Sequence, residues 1–209
     1  MPIARPKEKI ERRIGEKLFL KGERSFSPKT AISRRPYPPG LHGKKRRRGR
    51  SEYGTQLREK QKVRYLYGIN NGKLKRYFEE ARANKNKPTV DTLAELLERR
   101  LDNTVFRLGF TVSRSIARHL VSYGHILVNG KCVRQPSLKI KIGDTISPKV
   151  SELSLTLYQD LDARLKKYTP PEWLELAKNK HEGKVMRLPN MGDVMTQQNM
   201  PLVVEYYSR

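Results

Sequence analysis

The chain has 209 residues and carries 45 Lys and Arg against 21 Asp and Glu, a formal net charge of +24. Such an excess repels itself in a compact fold until a polyanion neutralises it, and nucleic acid is that polyanion, because each phosphate contact also releases a condensed counterion. The rival is an anionic membrane, but there is no 18-residue apolar run, signal-peptide pattern or lipidation motif, so the expectation is a soluble, intracellular protein of one or two small domains that uses no membrane.

In chain order, the first fifty residues hold seventeen Lys or Arg and only four acids, Glu8, Glu11, Glu16 and Glu23. Lys17 to Leu20 is the one short apolar run. From Arg34 to Gly43 the prolines and glycines predict extended, exposed backbone, and the basic run Lys44 to Arg50 follows. A segment of this kind buries too little apolar surface to order by itself and is expected to order on its partner. Ser51 reads as the N-cap of a helix from Tyr53 to Tyr67, ended by Gly68. Asn70-Asn71-Gly72 reads as a turn, Leu74 to Ala83 as a helix, and Asn84 to Pro88 as a linker.

Asp91 or Thr92 caps the next helix. Leu93, Leu97, Leu101, Val105 and Leu108 form one helical face ended by Gly109. Ser113 caps a helix to Tyr123, with Ile116, Leu120 and Val121 inward and Gly124 at its end. The period then changes: Ile126 to Val133 reads as strand, Asn129-Gly130 turn and strand. Cys132 sits there as a small apolar strand residue; as the single cysteine it excludes a disulfide within the chain and a thiolate-rich metal site. Leu138 to Ile142 alternates like a strand and Thr145-Ile146 begins another. Ser154 to Lys167 is a helix candidate, and Pro201 to Tyr207 reads as a terminal strand or extended segment.

The two helices and hairpin of 93–146 are basic throughout. Arg100, Asn103 and Arg107 recur on a face away from the leucines, Arg114 and Arg118 form an i, i+4 pair beside His119, and Lys131, Arg134, Lys139 and Lys141 follow. One such helix alone is an ordinary solvated face. Three basic elements in series point to binding, since guanidinium forks match phosphates and stack on bases. The spread of donors suits a structured RNA read through phosphates and 2′-hydroxyls. Removing both Arg114 and Arg118 is expected to weaken binding and leave the fold intact.

The string Leu97-Glu98-Arg99-Arg100-Leu101-Asp102-Asn103, with Phe106 to Phe110, Ser113-Arg114, Ala117-Arg118 and His125 to Lys131, resembles the RNA-binding domain of the ribosomal protein S-four family. Pseudouridine synthases, a tyrosyl-tRNA synthetase and a small heat-shock protein share that domain. The segments Tyr37 to Gly43, Ser51 to Lys62 with Tyr67-Gly68, Trp173 to Glu175, and Val204 to Arg209 resemble the family's other signatures, in the family's order and of bacterial type.

The resemblance implies an α+β protein: a basic N-terminal extension over 1–45, a helical domain over 46–91 completed by 198–209, and an S-four-type RNA-binding domain with following helices over 92–197. It implies a structural constituent of the small ribosomal subunit, cytoplasmic and no enzyme. Such a protein docks on the 5′ domain of the ribosomal RNA early in assembly, touches proteins S-three and S-five, lies near the channel through which messenger RNA enters, and influences decoding accuracy. The RNA-binding candidates are Arg34, Arg35, His42, Lys44, Lys45, Arg46, Arg47, Arg48, Arg50, Arg58, Lys62, Arg99, Arg100, Asn103, Arg107, Arg114, Arg118, His119, Lys131, Arg134 and Lys139. In many relatives four N-terminal cysteines bind zinc; Glu8, Glu11, Ser25 and Thr30 stand there instead, a poor tetrahedral set, so neither metal nor cofactor is expected. Leu41 replaces the usual glutamine, and Asn70 to Lys73 departs from the usual pattern. The alternative, an RNA-modifying enzyme or RNA chaperone carrying the same domain, lacks room: about sixty residues follow Ile146, and His42, His119, His125 and His181 show no paired spacing.

Overall fold

The computed structural model describes residues 6–45, 49–149, 161–177, 179, 181–194 and 199–209. The chain divides into two compact units, Met1–Val90 with Thr196–Arg209, and Asp91–Met195.

The first unit is helical. Helix α1 (Lys7–Ile14) starts after Pro6, whose carbonyl accepts from the Lys9 and Ile10 amides, and ends at Gly15 with φ 81°. Its Ile10 and Ile14, four apart, are buried together with Leu18. One buried carboxylate turns the chain back: Glu11 Oε1 accepts from the Leu18 and Leu20 amides at 3.2 and 3.3 Å. The N-terminal segment is therefore not the extended chain expected from its charge. It holds α1, a 3-10 turn over Gly22–Phe26 and α2 (Ala31–Arg34), with α1 packed against α2 and α3. Helix α3 (Glu52–Leu66) has its expected cap, Ser51 Oγ accepting from Gly54 N at 3.2 Å. Asn70, read as part of a turn, is instead the cap of α4 (Asn71–Ala83), its Oδ1 accepting from Lys73 N at 2.8 Å.

The C-terminal Pro201 to Tyr207 is a helix rather than a strand. In α9 (Met200–Ser208), Pro201 occupies the first turn, where its missing N–H costs nothing, and Asn199 Oδ1 accepts from Leu202 N at 3.4 Å. Strand propensity in Val203-Val204 and Tyr206-Tyr207 loses to tertiary packing. Helix α9 lies against α3 and α4, with Met200 and Val203 buried and Phe78 and Tyr207 stacked at 5.2 Å.

In the second unit the predicted long leucine helix is two. Helix α5 (Thr89–Glu98) enters the unit and α6 (Leu101–Arg107) follows. At Arg100 the backbone leaves the helical region (φ −66°, ψ 135°). There Leu101 N donates to Leu138 O at 2.9 Å and Ile140 N to Arg99 O at 3.0 Å. Arg100 and Lys139 thus form an isolated bridge, which is where the expected Leu138–Ile142 strand is spent. Leu93, Leu97, Leu101, Val105 and Leu108 are all fully buried across the break, so their spacing could not reveal it.

Helix α7 (Arg114–Tyr123) runs from its Ser113 cap to Gly124, at φ 82°. Strands β1 (Ile126–Val128), β2 (Lys131–Cys132), β3 (Thr145–Pro148), β4 (Leu174–Ala177) and β5 (Glu182–Val185) form one antiparallel sheet in the order β2-β1-β3-β5-β4. Asn129 (φ 51°) and Gly130 (φ 75°) supply the two left-handed residues of the first hairpin's turn. Strands β4 and β5, which no sustained alternation in residues 174–185 predicts, extend this sheet. Helix α8 (Leu161–Lys167) matches the end of the predicted Ser154–Lys167 helix, and Ser154 to Asp160 lie outside the described residues. Leu101, Val105, Leu108, Phe110, Ile126, Ile146, Leu165, Trp173 and Val185 share one core. Gly183 is required in it, because a Cβ there would overlap the Leu108 side chain. The architecture is α+β.

Candidate nucleic-acid interface

The polar residues at the α5–α6–α7 junction do two different jobs. Glu98 is fully buried. Its carboxylate accepts from Arg107 Nε and Nη2, both at 2.9 Å, and from Asn103 Nδ2 at 2.8 Å. Asn103 Oδ1 in turn accepts from Arg114 Nε at 2.8 Å, so one network ties the three helices. Arg100, also fully buried, forks onto Asp102 with bonds of 3.0 and 2.6 Å. Tyr168 OH donates to Arg107 O at 3.0 Å. Its burial, opposed by the nearby Arg107 and Arg114 charges, holds that phenol above its ordinary range, so it stays a donor.

This corrects part of the sequence reading. Arg100, Asn103 and Arg107 do not form an outward RNA-binding face; their side chains satisfy buried carboxylates, because a lone buried charge would cost several kcal/mol. Arg114 is shared: it binds Asn103, and its guanidinium lies 4.5 Å from the centre of the Phe106 ring. The expectation that its removal spares the fold is therefore replaced by one of lost stability.

The outward basic band of this unit is formed by other candidates. Arg118 is partly exposed, 3.6 Å from Asp102, and His119 is exposed one residue on. His119 and His125 flank the exposed ring of Tyr123 at 6.3 and 6.2 Å between centroids. Lys131 and Arg134 are exposed on the hairpin, and Arg134 lies over Gly124, close enough that a Cβ there would sit 3.0 Å from its Nε. Arg99 and Lys139 flank the helix break, Arg99 donating to Ile140 O at 3.0 Å and pairing with Glu95 at 2.8 Å. Cys132 is not an apolar core residue: it is exposed, and its thiol donates to Gly124 O.

In the first unit Arg34, Arg35, His42, Lys44, Lys45 and Arg50 are exposed, while Arg46, Arg47 and Arg48 lie outside the described residues. Tyr37 gathers cations, with Arg12 at 5.0 Å and Lys44 at 5.5 Å from its ring centre. Arg12 Nε also donates to Arg35 O and Tyr37 O at 3.1 and 3.0 Å. Lys62 is a correction: it is 5% exposed and bound to Glu16 at 2.6 Å. Arg58 shares Glu16 at 3.1 Å and also donates to Ile14 O. Arg12, Arg13 and Arg64 also stand at this surface and were not among the candidates; the signal for the first two is the Ile10/Ile14 spacing, which makes α1 a helix and presents them on it.

Glu8, Glu11, Ser25 and Thr30, the positions at which the resemblance implies zinc cysteines in relatives, do not fit zinc. Glu8 pairs with Lys21 at 3.0 Å and Arg24 at 3.2 Å, Ser25 Oγ accepts from Lys21 N at 3.2 Å, and Thr30 Oγ1 bonds Ser33 at 2.8 Å. With Glu11 committed to backbone amides, these are hard oxygen atoms already in use. Burial holds the Glu11 carboxyl above its ordinary range, against the two amide bonds that lower it.

Comparison with known proteins places these features in a family. The family model described as "Ribosomal protein S4/S9 N-terminal domain" matches residues 3–98, and that described as "S4 domain" matches 99–146. The chain is 48% identical over 198 residues to "Small ribosomal subunit protein uS4" of Syntrophomonas wolfei, covering 95% of this chain and 94% of that one. It is 49% identical over 199 residues to the protein of the same name from Thermus thermophilus, with the same coverage. For that of Caldicellulosiruptor bescii the identity is 46% over 204 residues, covering 98% and 97%. The buried Glu98–Arg107–Asn103 network, the Asn-Gly hairpin and the two matched models thus lie in one chain, and that chain belongs to the uS4 family of small ribosomal subunit proteins.

Proposed function

We propose that the chain is a structural, non-catalytic constituent of the small ribosomal subunit in the cytoplasm, where it binds the 5′ domain of the ribosomal RNA and helps nucleate assembly. The observation that carries this reading is the match of nearly the whole chain to proteins of that name. Affinity comes from the exposed Lys and Arg of both units acting on phosphates, and register comes from the rigidity of the α6–α7–hairpin core. Arg99, Arg118, His119, Lys131, Arg134 and Lys139 are the contacts proposed in the second unit, with Arg114 contributing while it also holds Asn103. In the first unit they are Arg34, Arg35, His42, Lys44, Lys45 and Arg50, with Arg58 contributing while it also pairs with Glu16. The basic run Lys44 to Arg50 as a whole is proposed to line the entry of messenger RNA, and proteins S-three and S-five are the proposed neighbours.

The test is binding of the purified chain to a 5′-domain RNA fragment across a salt series, together with cosedimentation with small subunits. Log affinity is expected to fall linearly with log salt, with a slope of about −0.9 per phosphate contact. A flat dependence, or a chain that stays in the supernatant, overturns the reading.

A further inference from the structure

A cleft of about 580 Å³ opens in the first unit between α1 and α3, and its walls include Arg13, Arg50, Arg58, Arg64, Gln61 and Tyr65. No acid lines it. Four guanidinium groups around one small space are a costly arrangement for a folded chain, because each repels the others across a short distance. The acid beside the cleft, Glu16, is divided between Arg58 at 3.1 Å and Lys62 at 2.6 Å, and so does not neutralise the set. Arg58 Nε and Arg64 Nε, two donors, find no hydrogen-bond acceptor among the described residues. Buried polar groups left in this state ask for a partner that the chain itself does not supply. The groups are also held in place. Arg58 is fixed by its bond to Ile14 O, and the Arg64 guanidinium lies 4.6 Å from the centre of the Tyr65 ring. The positive field reaches further along α3: burial, and then the Arg64 charge, hold the Lys60 ammonium below its ordinary range.

We infer that this cleft is a receptor for one phosphate group of the RNA backbone, clamped between Arg13 of α1 and Arg50, Arg58 and Arg64 in and before α3. A tetrahedral oxyanion is what several converging guanidinium forks recognise. It removes their mutual repulsion, and an open cleft admits a chain that continues on both sides. Unlike the exposed lysines, such a receptor fixes one nucleotide against the helical unit, so that it sets position as well as affinity. The inference rests on the RNA-binding function proposed above.

The test compares the full chain with Arg13→Gln/Arg50→Gln in binding the 5′-domain RNA fragment. Both side chains are exposed, and a thermal melt checks that the variant keeps the parent's fold. A control, Arg82→Gln/Lys85→Gln, removes the same charge from the exposed end of α4 and the linker after it. The cleft variant is expected to bind about tenfold more weakly, with a salt slope shallower by about 0.9 for the phosphate lost. Arg13→Lys/Arg50→Lys, which keeps the charge but loses the fork, is expected to restore the slope and only part of the affinity. Equal losses in cleft variant and control, or unchanged binding in the cleft variant while the parent binds, overturn the receptor. If the parent itself fails to bind the RNA, it is the proposed function that falls. Should the double variant unfold, Arg64→Lys is measured in its place, with the same two overturning outcomes.

Discussion

Glu98 has no access to water, and it is tolerated there because Arg107 and Asn103 saturate its oxygens. Removing one partner leaves the other charge buried and alone. Arg107→Ala is therefore expected to destabilise the chain by about 3–5 kcal/mol in chemical denaturation. Lys75→Ala, which breaks an exposed i, i+4 pair with Glu79, is expected to change stability by no more than about 0.5 kcal/mol. Equal effects would show that burial does not set the strength of these pairs. Glu11 poses the opposite case. Its pKa is raised by burial, so its stabilising contribution is complete below the ordinary carboxylate range and is lost as pH rises through the shifted value. Because one oxygen accepts both the Leu18 and Leu20 amides, Glu11→Gln keeps both bonds without the charge. It is expected to be as stable as the parent or more so at neutral pH, with a flatter stability–pH curve above the acid range. Glu11→Ala orphans two amides and is expected to cost about 1–3 kcal/mol for each. A Gln variant as unstable as the Ala variant would rule out this account.

Elements were readable where their signals are local. Ser51 and Ser113 cap helices because a hydroxyl reaches an amide within its own turn, and Asn129-Gly130 makes a hairpin because both adopt positive φ. The failures have one cause, a partner distant in sequence. The helix break at Arg100 depends on Leu138 and Ile140, and α9 depends on α3 and α4. Two predictions follow from these packed elements. Gly183→Ala places a methyl group inside the Leu108 side chain and is expected to lower the melting temperature of the chain, whereas Gly72→Ala, with open space around its Cβ position, is expected not to. For α9, burial raises the Tyr207 phenol to about 12, while an unfolded tyrosine ionises at about 10. Its contribution to holding α9 is thus intact below the unfolded value and lost as pH rises through the folded one. Phe78, stacked on that ring, is a non-ionising reporter: replacing Tyr207 by Phe is expected to remove this alkaline loss, measured as helical circular dichroism against pH. Unchanged alkaline loss in the Phe variant would assign it to other groups.

For the whole molecule, the charge of +24 predicts steep salt dependence whatever the fold, whereas the choice of residues that meet RNA depends on which cations the fold uses for itself. Lys131→Ala/Arg134→Ala removes two exposed hairpin cations and is expected to weaken 5′-domain RNA binding severalfold with an unchanged melting temperature, read by filter binding and a melt on the same preparation. Arg114→Ala is expected to lower both, since Arg114 also holds Asn103. If Arg114→Ala melts like the parent, the network does not support the helices as argued. The basic, RNA-binding character, the Ser113-capped helix with the Asn-Gly hairpin after it, and the family resemblance were legible in residue order alone, because net charge, caps, tight turns and ordered motifs are properties of neighbouring residues. It took the packing to turn Arg100, Asn103, Arg107 and Lys62 inward, to fold the N-terminal segment around Glu11, to split the leucine helix at Arg100, and to bring Arg13 and Arg64 beside Arg50 and Arg58 around one cleft. A cation's role follows from which carboxylate lies beside it, and that carboxylate is chosen by the packing of elements far apart in the chain.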